Sequence, residues 1–209
     1  MDYPWVRPAP WRRETTDLSQ PELDVEIYSQ AVIDLRRAVD VLLARSDIDP
    51  RRLAYVGHSF GAQWGAVLSA VEKRFQTLVL IGGTPSLSAL WLESNDTGMV
   101  NFRNRVPKET LYRYIRVNEV LDGINYVPHA SPTPLLFQFA RFERYFGEAA
   151  MRRYADAASE PKKVLWYNTG HELNDPQALA DRQAWLQKYI GIRALDLAPR
   201  SAKPRPRDK

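Results

Sequence analysis

The sequence predicts an α/β fold, a mainly parallel sheet with flanking helices, on three observations. Apolar runs of strand length alternate with longer helical stretches along most of the 209 residues, the pattern of strands joined by helical crossovers. One run, Thr77 to Gly83, carries the uninterrupted apolar stretch Leu78-Val79-Leu80-Ile81 and closes in two glycines, as a parallel strand covered on both faces should. Another, Arg52-Leu53-Ala54-Tyr55-Val56, turns through Gly57-His58-Ser59-Phe60-Gly61 into Ala62 to Val71, small and apolar residues of helical length.

Taken in order, residues 1–16 hold three prolines and two tryptophans without a period and read as an irregular segment. A long helix follows to about Arg45, with Ser19 as cap and Pro21 and Glu22 suited to a first turn. Its apolar stripe is Tyr28, Val32, Leu35, Val39 and Leu42, which directs it against one face of the sheet. Asp47 to Pro50 form a turn before the strand ending at Val56. Beyond the strand at Thr77, the segment 84–133 reads as an insertion able to form a rim or cap, with short helices over 87–92 and 108–121 and a loop from Asn125 to Pro132. Strands are expected over 134–139 and 163–167, and helices over 147–158 and 175–190. The domain is thus 17–192.

The formal charge of +4 belongs to the tail, because residues 193–209 carry six basic side chains against two acidic, leaving 1–192 neutral. Interrupted by prolines, that tail is expected to be disordered, and its charge gives little reason to infer a nucleic-acid partner. There is no cysteine, hence no disulfide framework and no thiol nucleophile. No apolar run approaches the length of a membrane span, and the first residues do not resemble a secretion signal. The expectation is a cytoplasmic protein with no membrane attachment, no metal and no cofactor.

Gly57-x-Ser59-x-Gly61 at a strand-to-helix junction is the arrangement that exposes a serine hydroxyl to a base. The hydroxyl is a poor nucleophile alone, so a base and an orienting acid are required. Three histidines are available: His58, His129 and His171. His58 adjoins the serine on a tight turn and reads as structural. His129 precedes a strand, the wrong end of a parallel sheet, where sites gather outside the carboxyl ends. His171 follows the last strand in Asn168-Thr169-Gly170-His171-Glu172 and is the expected base. The acid should follow the preceding strand, which selects Glu143, with Asp96 beyond the second strand in reserve. The Phe60 N–H, next after the serine, is the expected donor to an oxyanion.

On Ile48 to Ala62, Pro134 to Phe139 and Gly170 to Asn174, the chain resembles the α/β-hydrolases, and among them the dienelactone-hydrolase-like and prolyl-oligopeptidase-like serine esterases, over roughly residues 20–190. The resemblance implies ester (or related acyl) hydrolysis through an acyl-serine intermediate and a small-molecule acyl substrate. An aspartate is usual where Glu143 stands. The resemblance begins after the family's fourth strand, so the first strands and the loop supplying a second oxyanion N–H have no counterpart before Trp5 or Pro8. The fold is therefore expected to be N-terminally incomplete, with one side of Leu53–Val56 left as an edge open to self-association. The alternative expectation is a catalytically impaired, hydrolase-like domain acting by binding.

Overall fold

The computed structural model describes residues 7, 8, 12 and 18–193. The expectations for most of 1–16 and for the tail beyond Arg193 lie outside the described residues. Four strands, β1 (Ala54–His58), β2 (Thr77–Ile81), β3 (Leu135–Phe142) and β4 (Lys162–Gly170), form one sheet in the order β1-β2-β3-β4. All three pairings are parallel. Helices α1 (Pro21–Leu43), α2 (Phe60–Val71), α5 (Glu148–Ala157) and α6 (Pro176–Ile190) follow or precede the strands as the alternation predicts. The segment between β2 and β3 adds α3 (Thr97–Arg105) and α4 (Lys108–Asn118).

The strand period of two divides the core. Leu78, Leu80, Leu135, Phe137 and Phe139 face the side that packs on α2, α5 and α1, where Leu68, Tyr154 and Val32 meet them. Val79, Ile81, Leu136 and Ala140 face the other side, against Ala178 and Trp185 of α6. β2 is buried at every position, which accounts for its unbroken apolar run. Gln138, fully enclosed in β3, donates to the Tyr167 hydroxyl and the Ala178 carbonyl, and accepts from Arg182. Trp185 Nε1 donates to Thr77 Oγ1 at 2.7 Å, fixing α6 to β2.

Several boundaries differ from those expected. Ser19 is not the cap of α1; Gln20 holds that position, and no side chain caps the helix. The buried face of α1 is turned from the expected stripe, running through Asp24, Ile27, Ala31, Val32 and Val39, while Leu42 is exposed. The reason is long-range: α1 packs on α4 as well as α2, and buried Asp24 accepts a 2.7 Å hydrogen bond from Tyr114 of α4. β1 starts two residues later than the apolar run suggested, after a 3-10 turn at Pro50–Arg52, and reaches His58. The short helix expected over Leu87 to Leu92 runs into a π turn over Ala89–Glu93, and α3, whose apolar residues Met99, Val100 and Phe102 are none of them fully buried, was not signalled by any apolar period. Among the described residues β1 pairs with β2 alone, and Val56 is 45% exposed.

Candidate active site

The site lies at the carboxyl ends of the strands. Ser59 is the single residue between β1 and α2, held at φ 53 and ψ −113, a left-handed conformation that costs a non-glycine residue on the order of 1–3 kcal/mol. Its N–H donates to Ile81 O at 2.7 Å, so the end of β2 braces the turn. Gly57 is required there because a Cβ would sit 2.5 Å from the Gly61 carbonyl carbon and 2.8 Å from the Ala62 nitrogen. Tyr55 completes the brace by donating its hydroxyl to Gly61 O at 2.7 Å.

His171 follows β4 and is brought to Ser59 across β2 and β3, with Nε2 2.8 Å from Ser59 Oγ. Its Nδ1 is 2.7 Å from Glu143 Oε2. An ionised carboxylate only accepts, so a neutral ring beside it carries its proton on Nδ1 and presents Nε2 as acceptor to the serine hydroxyl. Glu143 comes just after β3 and its side chain is 1% exposed. Its second oxygen accepts from the Tyr145 N–H at 3.0 Å. The Tyr145 ring in turn meets the imidazole edge to face, with centroids 4.8 Å apart. Gly82, beside the imidazole, is held at φ +56, a conformation that favours glycine.

The structure thus brings together Ser59, Glu143 and His171. Phe60 lies beside them as the first residue of α2, where a helix presents main-chain N–H groups beyond its own ladder. Asp96 is elsewhere: it caps α3, accepting from the Met99 N–H at 3.1 Å, and is not the partner of His171. His129 sits in a 3-10 turn ahead of β3, at the opposite end of the sheet, where its carbonyl accepts from Lys73. His58 does more than pack, because its Nε2 lies 2.9 Å from His171 O.

A cavity of about 510 Å³ opens onto these residues. The sheet side supplies Ser59, Phe60, Gln63, Thr84 and His171, α1 supplies Tyr28, and the loop after β3 supplies Arg144, Tyr145 and Phe146. Leu87, Leu90, Trp91, Met99 and Tyr114 form the wall contributed by the 84–133 segment. These wall residues belong to a separate small core with Leu111 and Ile115. Gln63 had a sequence signal, standing one helical turn after Ser59; Tyr145 had one too, two residues after Glu143. The wall had none, because its members are scattered across the segment. Among the described residues, no group of three or more acidic or histidine side chains is placed to hold a metal ion, and no helix is long and apolar enough to cross a membrane.

This parallel sheet, wound with helices on both faces and carrying a serine at the turn after β1, is the α/β-hydrolase fold. The acetyl xylan esterase from Paenibacillus sp. R4 is similar to 78% of the chain, at TM-score 0.66 and 20% identity, over 53% of its own length. Acetyl xylan esterase 1 from Thermoanaerobacterium sp. JW/SL YS485 is similar at TM-score 0.62 and 15% identity, over 76% of this chain and 52% of its own. The Pyrococcus furiosus esterase Pf2001 matches 77% of the chain and 62% of its own at TM-score 0.59 and 18% identity. Among curated proteins, the uncharacterized protein YfhR of Escherichia coli, in O157:H7 and K12, is 26% identical over 149 residues, 71% of this chain. The chain spans 47% of the length of these curated relatives. No family model matches it.

Proposed function

We propose that the chain carries the reacting centre of a serine hydrolase that cleaves carboxylic esters, or related acyl bonds, through an acyl-serine intermediate. The observation that carries this reading is the contiguous relay Ser59 Oγ to His171 Nε2 at 2.8 Å and His171 Nδ1 to Glu143 at 2.7 Å, opening onto a cavity. The esterases among the similar structures favour an ester over other acyl substrates.

In this mechanism the turn at Ser59 acts as a nucleophile elbow and the three side chains as a catalytic triad. Ser59 Oγ attacks the ester carbonyl carbon while His171 Nε2 takes its proton. The buried Glu143 carboxylate holds Nδ1–H and stabilises the imidazolium that forms. The tetrahedral oxyanion is met by the Phe60 N–H at the start of α2, where the helix dipole also favours negative charge. His171 then returns its proton to the leaving alkoxide, leaving the acyl-enzyme. Water, deprotonated by the same nitrogen, attacks that acyl group, and collapse of the second intermediate frees the acid and Ser59.

The test is turnover of a simple aryl ester by the purified chain and by Ser59→Ala. Turnover abolished in the variant supports the reading; turnover that survives in Ser59→Ala moves the chemistry to another residue.

A further inference from the structure

Among the polar side chains that line the cavity, those of Thr84 and Gln63, like those of Arg144 and Glu172, hold no hydrogen bond among the described residues. Thr84, 8% exposed, follows the Gly82-Gly83 turn at the end of β2, and its hydroxyl makes no hydrogen bond among the described residues. Gln63, one turn along α2 from Ser59, has its main-chain N–H bonded to Ser59 O, while its carboxamide is likewise unengaged among the described residues. Both line the same cavity as Ser59. Facing them is an apolar wall that includes Leu87, Leu90, Trp91 and Tyr114. Trp91 and Tyr114 are held in that wall by the small core of the 84–133 segment. The opening of about 510 Å³ far exceeds what an acetyl group fills.

These features have opposite requirements. The apolar wall gains from an apolar group that displaces water. A purely hydrocarbon group would also dehydrate the Thr84 hydroxyl and the Gln63 carboxamide, and a buried polar group without a partner is penalised. A ligand that satisfies both has an apolar body and a hydroxyl, amide or carbonyl close to the reacting carbon. Sites built around such unpaired groups discriminate strongly against the analogue lacking the partner.

We propose that the site takes esters with one large apolar half, aliphatic of medium length or aromatic, bearing a hydrogen-bonding substituent near the ester carbon that Gln63 and Thr84 read. The proposal rests on the serine-hydrolase reading above and is tested so that the two fail separately. A small fluorophosphonate labels Ser59 of the full chain, and each ester is scored by the concentration that halves the labelling rate, since an ester protects Ser59 whether it binds or acylates. The panel is methyl acetate, methyl octanoate, octyl acetate and the methyl esters of 2- and 3-hydroxyoctanoic acid.

The expected order has an octyl-containing ester protecting at roughly tenfold lower concentration than methyl acetate. One of the hydroxy esters should protect at roughly fivefold or more below methyl octanoate. Gln63→Met and Thr84→Val, made singly, should each reduce the ratio between hydroxyoctanoate and octanoate. Because that ratio is taken within each variant, a change in labelling rate cancels. Equal protection by acetate and octyl esters, or a hydroxyl preference absent from wild type or unchanged in both variants, overturns the proposal. Absence of Ser59 labelling by the probe alone overturns the hydrolase reading instead.

Discussion

His58 Nε2 lies 2.9 Å from the main-chain oxygen of His171, so the residue beside Ser59 grips the loop that carries the imidazole. The two rings are 5.1 Å apart. Nucleophile and base are thereby tied through a second contact that does not pass through the reacting atoms. A loop with one fewer anchor samples more positions, and misplacement of a base by an ångström is costly. Replacing His58 by Ala should lower kcat roughly tenfold with little change in KM, whereas His58→Gln, which keeps a donor, should recover part of the loss. Steady-state kinetics on an aryl ester distinguish this from a substrate-binding effect, which would appear in KM.

Glu143 and Asp96 make a paired prediction. Glu143→Gln replaces the acceptor at His171 Nδ1 by an amide that favours the wrong tautomer, and should cut kcat by about three to four orders of magnitude. Asp96→Asn keeps an oxygen able to cap α3 and should leave kcat within about twofold. If Asp96→Asn proved the damaging change, the acid would follow β2 rather than β3.

The sheet and the site were legible to different depths. Ser59, His171 and Glu143 were found from the sequence because each stands where a parallel strand ends, and strand ends are marked by local residues: Gly57 and Gly61, the Thr169-Gly170 pair, and the run closing at Phe139. What was not legible depends on partners distant in the chain. Asp24 lies on the buried face of α1, where Tyr114, ninety residues later, bonds it. The role of His58 needed the backbone of His171, 113 residues away. The cavity wall is likewise assembled by tertiary packing, since Trp91 of the π turn, Met99 of α3 and Tyr114 of α4 come together only in the fold.

Asp122 offers a pH test. It is 7% exposed, and burial, with a smaller contribution from Glu119, raises its carboxyl to about 7, opposed by the Leu87 N–H it accepts. Against an ordinary value near 4, the folded state holds this proton more tightly than the unfolded chain. Between about pH 4 and 7 the native state therefore binds more protons, and stability falls as pH rises through that window. Asp122→Asn, which keeps an oxygen for Leu87, should flatten that part of the profile and raise stability at pH 8 by about 1–2 kcal/mol. Denaturant midpoints from pH 4 to 8 check this; an unchanged slope in the variant would assign the dependence to other groups.

Gly57 should be intolerant of any side chain. Gly57→Ala must push the Gly61 carbonyl and the first turn of α2 away from β1, at a cost of at least about 2 kcal/mol and with loss of the Ser59 geometry. Gly147→Ala is the control: a Cβ there meets nothing within 4 Å, and the change should stay within about 1 kcal/mol. Thermal midpoints of the two variants give the comparison directly.

The β1 edge should favour association. Among the described residues it has a strand on one side only, and Val56 is exposed on it. A charge placed there discourages pairing between edges. Sedimentation of the chain should show association that rises with concentration, and Val56→Lys should reduce it; a monodisperse monomer in both would remove the edge as an interface.

The central claim is that Ser59 is a nucleophile activated by His171, and covalent labelling tests it most directly. Incubation with a fluorophosphonate, followed by peptide mass analysis, should place one adduct on Ser59. His171→Ala should slow labelling by about three orders of magnitude or more, and Ser59→Ala should carry no adduct. An adduct on another residue, or labelling of Ser59 at the same rate without His171, would contradict the account.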